Sequence, residues 1–253
     1  MSLPLGEGPA ARAAFQRLRT APAPILFLDL DGTLAPIVDD PLRARIPAAT
    51  SQHLRRLERT GASVVLVSGR SVAGVRHVAR TPVTAILGDH GARLYRSGRI
   101  TPWLPASEPR IRRAAVLVRR WVEDRPGMVL QEKDRSLAIH LRLPRGDGAV
   151  SELARRLRAS GYRVLHGYRV LDVQLPGVHK GAAVRRWLAV HPEADQVLYA
   201  GDDTTDQDAF RALRGRGITI AVGPRAAGAA LRTRDTRTFA AWLGRLAAAR
   251  RGR

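Results

Sequence analysis

Short apolar runs rich in β-branched residues alternate along this chain with stretches of helical spacing. The runs lie in residues 25–30, 63–67, 84–95, 197–200 and 217–223. Helical patterns occupy residues 48–59, before Gly61, and begin again near Ser71. Alternating strand and helix signals are typical of a parallel sheet covered by helices. We therefore predict an α/β fold.

Polar side chains follow the apolar residues of four of these runs. They are Asp29 and Asp31, Ser68, Asp89 and His90, and Asp202 and Asp203. Ligands of open α/β sheets bind in the crevice outside the carboxyl ends of the strands. We therefore expect these side chains to meet at one crevice.

The paired carboxylates after the first run indicate a cation site. Asp29 and Asp31 project to the same side of the strand because strand side chains alternate. Burying a charge is costly unless it is paired or bound to a metal. Several carboxylates at one crevice suit a hard divalent cation, and Mg²⁺, which keeps several waters, fits best. An isolated Asp-x-Asp after a strand is equally typical of a turn or a helix cap, and Asp202 and Asp203 alone could cap the helix that begins near Thr205.

The middle of the chain follows a different pattern. Helical spacing at 108–123 precedes strand-like runs at 128–131 and 137–143, and a second helix at 149–159 precedes a hairpin-like pair at 162–175 that turns at Gly167. Two αββ units in succession predict a compact α+β module. We place this module at residues 105–174, inserted between the core segments 1–104 and 175–253.

The composition excludes some chemistry and leaves one alternative open. The chain has no cysteine, which excludes disulfides, zinc–thiolate sites and cysteine nucleophiles. Neither a signal peptide nor an 18-residue apolar span is recognisable, so we expect a cytoplasmic protein with no membrane partner. The net charge of +21 could mark a nucleic-acid surface. Its arginines are scattered in ones and twos along predicted helices, which favours compositional drift and no specific nucleic-acid partner.

Four segments resemble the motifs of the haloacid dehalogenase-like hydrolases. DLDGTL is similar to the first motif, SGR to the second, Lys180 to the third and GDDTTD to the fourth. Lys180 is informative because only it and Lys133 are lysines among 43 basic residues. The resemblance implies a Rossmann-like parallel-sheet hydrolase core, into which the α+β module is inserted as a cap.

The resemblance narrows to the trehalose-6-phosphate phosphatase family. That family's blocks follow in order over residues 25–222, as LDLDGTLAPIVDDP, VVLVSGR, GDHGA, EKDRSLAIHLR, GYRVLDV, HKGAAVRRWL and YAGDDTTDQDAF. The implied activity is Mg²⁺-dependent hydrolysis of trehalose 6-phosphate to trehalose and phosphate through an aspartyl-phosphate. A synthase that makes the phosphorylated sugar would supply the substrate, and we expect the chain to be a monomer.

The resemblance also implies a role for each motif residue. Asp29 would be the nucleophile, Asp31 the general acid and base, and Ser68 and Lys180 ligands of the phosphoryl oxygens. Asp29, the Asp31 carbonyl and Asp202 would hold Mg²⁺. Backbone N–H groups after Asp31 would complete the phosphate cradle, with Gly32, Thr33, Asp203 and Asp206 in support. The substrate-binding candidates of cap and crevice are Arg70, His90, Glu132, Lys133, His140 and Asp172.

Three positions depart from the family pattern and bear on which sugar is recognised. Arg93 stands where the family carries an acidic residue, Asp172 where it carries glutamate, and Gln174 where it carries arginine. We place these positions at or near the cap and the sugar side. Sucrose 6-phosphate or a glucosylglycerol phosphate therefore remains an alternative substrate. A catalytically inactive regulatory homologue is disfavoured because Asp29, Asp31, Lys180 and Asp202 are all present.

Overall fold

The computed structural model describes residues 3–4, 8–105, 107–133, 135–141, 148–167 and 170–250. The strands are β1 (Leu3–Pro4), β2 (Ile25–Leu28), β3 (Ser63–Val67), β4 (Ala85–Gly88), β5 (Arg93–Arg96), β6 (Arg99–Pro102), β7 (Met128–Glu132), β8 (Ser136–Leu141), β9 (Arg163–Gly167), β10 (Val170–Gln174), β11 (Val197–Gly201), β12 (Ile218–Val222) and β13 (Leu231–Thr233). The helices are α1 (Pro9–Thr20), α2 (Ala48–Arg59), α3 (Val72–Ala79), α4 (Glu108–Glu123), α5 (Gly148–Ala159), α6 (Lys180–Val190), α7 (Gln207–Ala212) and α8 (Thr236–Ala249). Short 3₁₀ turns lie at Pro41–Arg43, Asp89–Gly91 and Thr204–Asp206.

A large, mostly parallel sheet forms the frame of the molecule. Within the described residues it has nine strands in the order β1-β13-β12-β11-β2-β3-β4-β5-β6. Neighbours from β1 to β4 are parallel, whereas β5 and β6 are antiparallel additions at one edge. The fully buried β2 lies between β11 and β3. The predicted α/β fold with a parallel sheet is confirmed.

Helices cover both faces of this sheet, as the alternation along β2 requires. Phe27 points to one face and meets the indole of Trp187 edge-on at 6.2 Å between ring centroids. Leu26 and Leu28 point to the other face, into the cluster that contains Trp242 of α8. Because both faces are buried, β2 is apolar throughout, as expected for a central parallel strand.

A second, antiparallel sheet is formed by the middle of the chain. Its order is β7-β8-β10-β9, with α4 and α5 completing two αββ units. Ile111 and Val118 of α4 share an apolar cluster with Leu137 and Ile139 of β8. The inserted α+β module is therefore present. The expected hairpin turn after Gly167, and residues 142 and 143 at the predicted end of β8, lie outside the described residues.

The predicted run at 84–95 is two strands and not one. β4 ends at Gly88, and β5 returns antiparallel from Arg93. Between them Asp89, His90 and Gly91 have φ values of 53°, 57° and 98°. Consecutive left-handed residues reverse the chain in the space of one turn, which apolar patterning does not reveal. Strand β2 likewise ends two residues earlier than predicted, at Leu28.

The ends of the described chain are packed together through a buried arginine. Helix α1 lies against α8, and Arg250 follows α8 directly. The guanidinium of Arg250 donates to the carbonyl oxygens of Leu18, Ala21 and Thr60, the last two at 3.0 and 2.9 Å. Each carbonyl belongs to the end of α1 or α2, where backbone acceptors lack intrahelical partners.

Helix α4 carries part of the positive charge of the surface. The longest helix within the described residues, α4, has 16 residues, five of which are arginines. Its buried positions lie on one face, so the arginines cover the opposite face. Within the described part of the chain, none of the helices combines the length and the apolar character that crossing a bilayer requires.

Candidate active site

The loop after β2 carries the first pair of carboxylates. Asp29 is buried, and the hydroxyl of Thr33 donates to its Oδ2 at 3.2 Å. Gly32 has φ of 81°, which a glycine adopts without strain. Its N–H donates to the carbonyl of Ala35 at 2.7 Å. The expectation that backbone N–H groups after Asp31 complete a phosphate cradle is therefore wrong for Gly32, whose donor closes the turn.

Lys180 joins two of the motifs in the interior. Its buried Nζ donates to Asp29 Oδ1 and to Asp206 Oδ1, both at 2.7 Å. Burial alone lowers the pKa of Lys180, but the charges of Asp206 and Asp29 outweigh it and raise the pKa above its ordinary value. Lys180 is therefore a fixed positive charge beside the carboxylate of Asp29.

The side chain of Asp206 is saturated with hydrogen bonds. Its Oδ1 accepts from Lys180 and from the Tyr199 hydroxyl at 2.6 Å, and its Oδ2 accepts the N–H groups of Asp202 and Asp203 at 3.1 and 3.0 Å. Gly201 must lack a side chain, since a Cβ there would stand 2.2 Å from Asp206 Cγ. Asp206 therefore orders Lys180 and the Asp202 loop, and its two oxygens are occupied.

Asp202 faces the loop after β2 from the end of the neighbouring strand. A Cβ on Gly32 would lie 2.1 Å from Asp202 Oδ2, so only glycine lets the two loops approach this closely. Burial and the charge of Asp206 raise the pKa of Asp202 to about 7, against the opposing effect of Arg225. Arg225 Nη2 contacts Asp202 Oδ2. Sequence reasoning missed Arg225, which follows β12 and belongs to none of the four motifs.

The carboxylates form a donor set suited to a divalent cation. One oxygen each from Asp29, Asp202 and Asp206 lies within 4.8 Å of the others, and all three residues are buried. Burial raises the pKa of Asp29 well above its usual value, although Lys180 lowers it. Three buried carboxyl groups face only Lys180 and Arg225 among the cations that contact them in the described residues. An additional positive charge would relieve this excess.

The loop after β3 approaches the same crevice. Ser68 is buried, and its hydroxyl accepts the N–H of Arg70 at 3.1 Å. The guanidinium of Arg70 donates twice to Asp31, from Nε at 2.6 Å and from Nη2 at 2.7 Å. Arg70 Nη1 also donates to the carbonyl of Pro41 at 2.9 Å. We expected Arg70 to contact substrate. It instead holds Asp31, the second carboxylate of the first motif, and the loop that follows Asp31.

His90 lies buried at the tip of the reversal between β4 and β5. Within the described part of the chain neither ring nitrogen has a hydrogen-bond partner. Burial lowers the pKa of His90 well below its ordinary value, and the charges of Lys133, Lys180 and Arg163 add to this effect. A Cβ on Gly69 would stand 2.5 Å from the ring, so this glycine makes room for it. A neutral imidazole with two unsatisfied nitrogens therefore borders the crevice.

These side chains line one crevice of about 610 Å³ between the two sheets. Lys133 Nζ reaches across it and donates to the carbonyl of Gly69 at 3.3 Å. Asp172 is buried, and burial raises its pKa while Lys133 lowers it. The predicted site residues that line it are Asp29, Asp31, Ser68, Arg70, His90, Glu132, Lys133, His140, Asp172, Lys180, Asp202 and Asp203.

Two of the cap candidates are engaged with other cap residues. Arg119 of α4 contacts the carboxylate of Glu132. The Nε2 of His140 lies 3.0 Å from the amide oxygen of Gln131. Both side chains still border the crevice, which has room for a sugar phosphate.

Two of the three departures from the family pattern lie away from the crevice wall. Arg93 points to Glu108 at the start of α4, at 3.8 Å. Gln174 accepts from Arg163 Nη1 at 3.4 Å, and Arg163 Nη2 pairs with Asp208 of α7 at 2.5 Å. Neither Arg93 nor Gln174 borders the 610 Å³ crevice. Both residues therefore lie at or near the cap, as expected, but of the three departures only Asp172 lines the crevice.

The fold and the site together define a class of protein. The parallel sheet with its inserted α+β module is similar in fold to a solved phosphatase of the haloalkanoate (HAD) enzyme superfamily from Bacteroides thetaiotaomicron, with a TM-score of 0.66 at 15% identity over 87% of this chain. A family model described as trehalose-phosphatase matches residues 27–233. This chain belongs to the trehalose-phosphatase family, as its motifs predict.

Named relatives agree with this assignment. A trehalose-phosphate phosphatase of Mycobacterium marinum is 32% identical over 247 residues, which cover 90% of this chain and 62% of that protein. An uncharacterized glycosyl hydrolase of Mycobacterium tuberculosis is 31% identical, over 92% of this chain and 19% of its own length. The chain thus spans about three fifths or less of the length of the curated relatives that it resembles.

Solved structures show the same fold. The C-terminal domain of the C. albicans trehalose-6-phosphate phosphatase superposes with a TM-score of 0.85 at 21% identity, covering 98% of both chains. A protein described as related to trehalose-6-phosphate phosphatase superposes with a TM-score of 0.71 at 27% identity, covering 88% of this chain and 97% of that one.

Proposed function

We propose that this chain hydrolyses trehalose 6-phosphate to trehalose and inorganic phosphate. The observation that carries the proposal is the buried Asp29, bound by Lys180 at 2.7 Å and open to a crevice at the end of the central strand. Membership of the trehalose-phosphatase family supports the choice of substrate. The related phosphatases named above support the reaction class, a phosphoric monoester hydrolase.

Asp29 is the nucleophile of this mechanism. Attack of its carboxylate on phosphorus forms a bond between Asp29 and the phosphoryl group and breaks the bond to the sugar oxygen. Lys180 holds Asp29 Oδ1, while Thr33 steadies Oδ2. Burial raises the pKa of Asp29, which favours its neutral form, and the charge of Lys180 opposes this effect, so positive charge beside Asp29 favours the ionised carboxylate that attacks.

Asp31 moves the proton in both halves of the reaction. It donates a proton to the departing sugar oxygen, then accepts one from the water that attacks the aspartyl-phosphate. Arg70 fixes the carboxylate plane of Asp31 through two hydrogen bonds. Ser68, directly after β3, and Lys180, at the start of α6, bind the phosphoryl oxygens.

Mg²⁺ fits the donor set described above and completes the proposal. Of that set Asp29 and Asp202 would hold it, together with the Asp31 carbonyl, because each oxygen of Asp206 already accepts two hydrogen bonds. When bound, it supplies positive charge against the negative charge of the transferring phosphoryl group. Asp206 keeps Lys180 and the Asp202 loop in place, and Asp203 shares that loop.

The inserted module, which we take as residues 105–174, recognises the sugar. Glu132, Lys133, His140 and Asp172 are among its polar side chains at the crevice, which His90 of the core also lines. The unsatisfied ring nitrogens of His90 offer hydrogen bonds to sugar hydroxyls or to the phosphoryl group. Closure of the module over the core would exclude water from the reacting groups.

Asp172 is the reason to consider a second class of substrate. It stands where the family carries glutamate and is the one departure at the crevice, so another glycosyl phosphate such as sucrose 6-phosphate is the competing substrate. A sugar-phosphate synthase would act before this chain in either case.

A panel of phosphate-release assays tests the proposal. Trehalose 6-phosphate, sucrose 6-phosphate and glucose 6-phosphate are each incubated with the protein in Mg²⁺ or in EDTA, beside Asp29→Asn. We expect Mg²⁺-dependent release from trehalose 6-phosphate alone, lost in the variant. Phosphate release from another sugar phosphate would show that the proposed substrate is wrong. Phosphate release in EDTA would contradict the metal requirement.

A further inference from the structure

Arg225 reaches the carboxylate cluster from outside every motif that defines the family. It lies in the loop after β12, the strand that pairs with β11. Its Nη2 contacts Asp202 Oδ2, the same oxygen that packs against the backbone of Gly32. One oxygen of the expected metal ligand is therefore enclosed by a glycine on one side and a guanidinium on the other.

The loop that carries Arg225 is fixed by a second arginine. Arg232 of β13 donates to the carbonyl oxygens of Gly223 and Ala226, the latter at 2.6 Å. The N–H of Gly223 donates to the carbonyl of Thr233 at 2.9 Å, and Ala226 is fully buried. The backbone on both sides of Arg225 is thus anchored, so its contact with Asp202 is built into the fold.

Charge determines what this contact does. Asp29, Asp202 and Asp206 are three buried acidic groups, and Lys180 and Arg225 are the cations that contact them within the described residues. A divalent cation at Asp202 has to displace the guanidinium or use the other carboxylate oxygen beside it. In both cases Arg225 opposes the cation, because like charges at short range in a partly buried site repel strongly.

We propose that Arg225 is a positioning residue that holds Asp202 in the metal-free protein and weakens the binding of Mg²⁺. This inference rests on the metal site of the proposed function. Arg225 then acts as an internal counter-charge that prevents Asp202 from being left uncompensated, at the expense of metal affinity. The two effects have opposite signs, so one substitution should lower the stability of the metal-free protein and strengthen Mg²⁺ binding.

Calorimetric titration of Mg²⁺ into EDTA-stripped protein tests this inference without any turnover. Arg225→Gln removes the charge, and Arg225→Lys keeps it without the planar guanidinium. Arg234→Gln is the matched control, because Arg234 is exposed and pairs with Asp235 at the surface. Asp202→Asn reports whether the measured heat belongs to this site. Thermal unfolding in EDTA is recorded for every variant.

We expect Arg225→Gln to bind Mg²⁺ on the order of tenfold more tightly and to unfold at a lower temperature in EDTA than the unmodified protein. Arg225→Lys should stay close to the unmodified protein in affinity, and Arg234→Gln should match it in both measurements. Unchanged or weaker Mg²⁺ binding by Arg225→Gln would overturn the inference.

Two further outcomes separate the inference from the proposed function. If the unmodified protein and Asp202→Asn bind Mg²⁺ equally, or neither binds it, the proposed metal site is wrong. The role proposed for Arg225 is then wrong as well. If Mg²⁺ affinity is unchanged in Arg225→Gln while binding of inorganic phosphate weakens, Arg225 is a phosphoryl ligand, and only the present inference is overturned.

Discussion

Arg70 donates two hydrogen bonds to the carboxylate of Asp31, at 2.6 and 2.7 Å, although 39 residues separate them in the chain. The same guanidinium holds the carbonyl of Pro41 at 2.9 Å. One side chain thus fixes both the proposed proton-transfer group and the loop that follows it. A lysine cannot reproduce this paired, planar geometry.

Arg70→Lys should therefore lower kcat/KM for trehalose 6-phosphate. Losing one charge-assisted hydrogen bond, worth roughly 1.5–3 kcal/mol, corresponds to a loss of about 10- to 100-fold. Steady-state kinetics check this result. Arg76→Lys is the control, since Arg76 lies over the ring of Tyr95 on the surface of α3. Equal kcat/KM values for Arg70→Lys and the control would contradict the positioning role.

Gly32→Ala should abolish activity through the metal site. The new methyl group would meet Asp202 Oδ2 at 2.1 Å, so the two loops could not keep their separation. We expect loss of Mg²⁺ binding by calorimetry and a kcat reduced at least about 100-fold, the scale of losing an electrostatic contact to the transferring group.

Gly98→Ala is the control that distinguishes the clash with Asp202 in Gly32→Ala from the effect of backbone strain. Gly98 has φ of 80°, close to the 81° of Gly32, and a Cβ there meets nothing within 4 Å. Both substitutions should lower the free energy of unfolding by roughly 1–2 kcal/mol for the left-handed backbone. Only Gly32→Ala should lose activity. A comparable loss in Gly98→Ala would mean that strain, and not the contact with Asp202, is responsible.

His90 should make the stability of the protein pH-dependent. Its pKa is well below 6.5 in the folded protein because of burial, so as the pH falls through 6.5 the unfolded chain takes up a proton that the folded chain does not. Stability contributed by the neutral ring is present above pH 6.5 and declines below it. The slope for one proton is at most about 1.4 kcal/mol per pH unit.

Chemical denaturation between pH 5 and 7.5 in EDTA tests this prediction. His90→Asn, which tolerates the left-handed backbone at this position, should show a shallower decline than the unmodified protein. The control is His77→Asn, because the ring of His77 is exposed on α3. Identical slopes for His90→Asn and the unmodified protein would contradict a buried neutral imidazole.

The sequence predicts the frame of the site because its signals are local. The bounds of α2, β3 and α4 agree with the predicted 48–59, 63–67 and 108–123, since each begins or ends at a clear change of pattern. The strand-end motifs converge because parallel strands bring their carboxyl ends to one edge. The family assignment follows from these motifs and is confirmed.

Long-range partners are what the sequence does not reveal. Arg225 is one of many scattered arginines, and only the pairing of β11 with β12 brings it to Asp202. Arg93 belongs to a recognisable block, yet it turns to Glu108. The reversal at Asp89 and His90 depends on left-handed backbone angles that neither residue type requires. Each of these features is decided by tertiary packing and not by local pattern.

The most direct test of the account is to locate the phosphoryl group during turnover. Protein and Asp31→Asn, the variant that lacks the general base, are mixed with trehalose 6-phosphate and Mg²⁺, quenched in acid and analysed by intact mass and peptide mapping. We predict one added phosphoryl group on Asp29, which should form and disappear more slowly in Asp31→Asn because Asp31 moves the proton in both halves of the reaction. Hydrolysis with no phosphorylated protein, or with the group on another residue, would contradict Asp29 as the nucleophile.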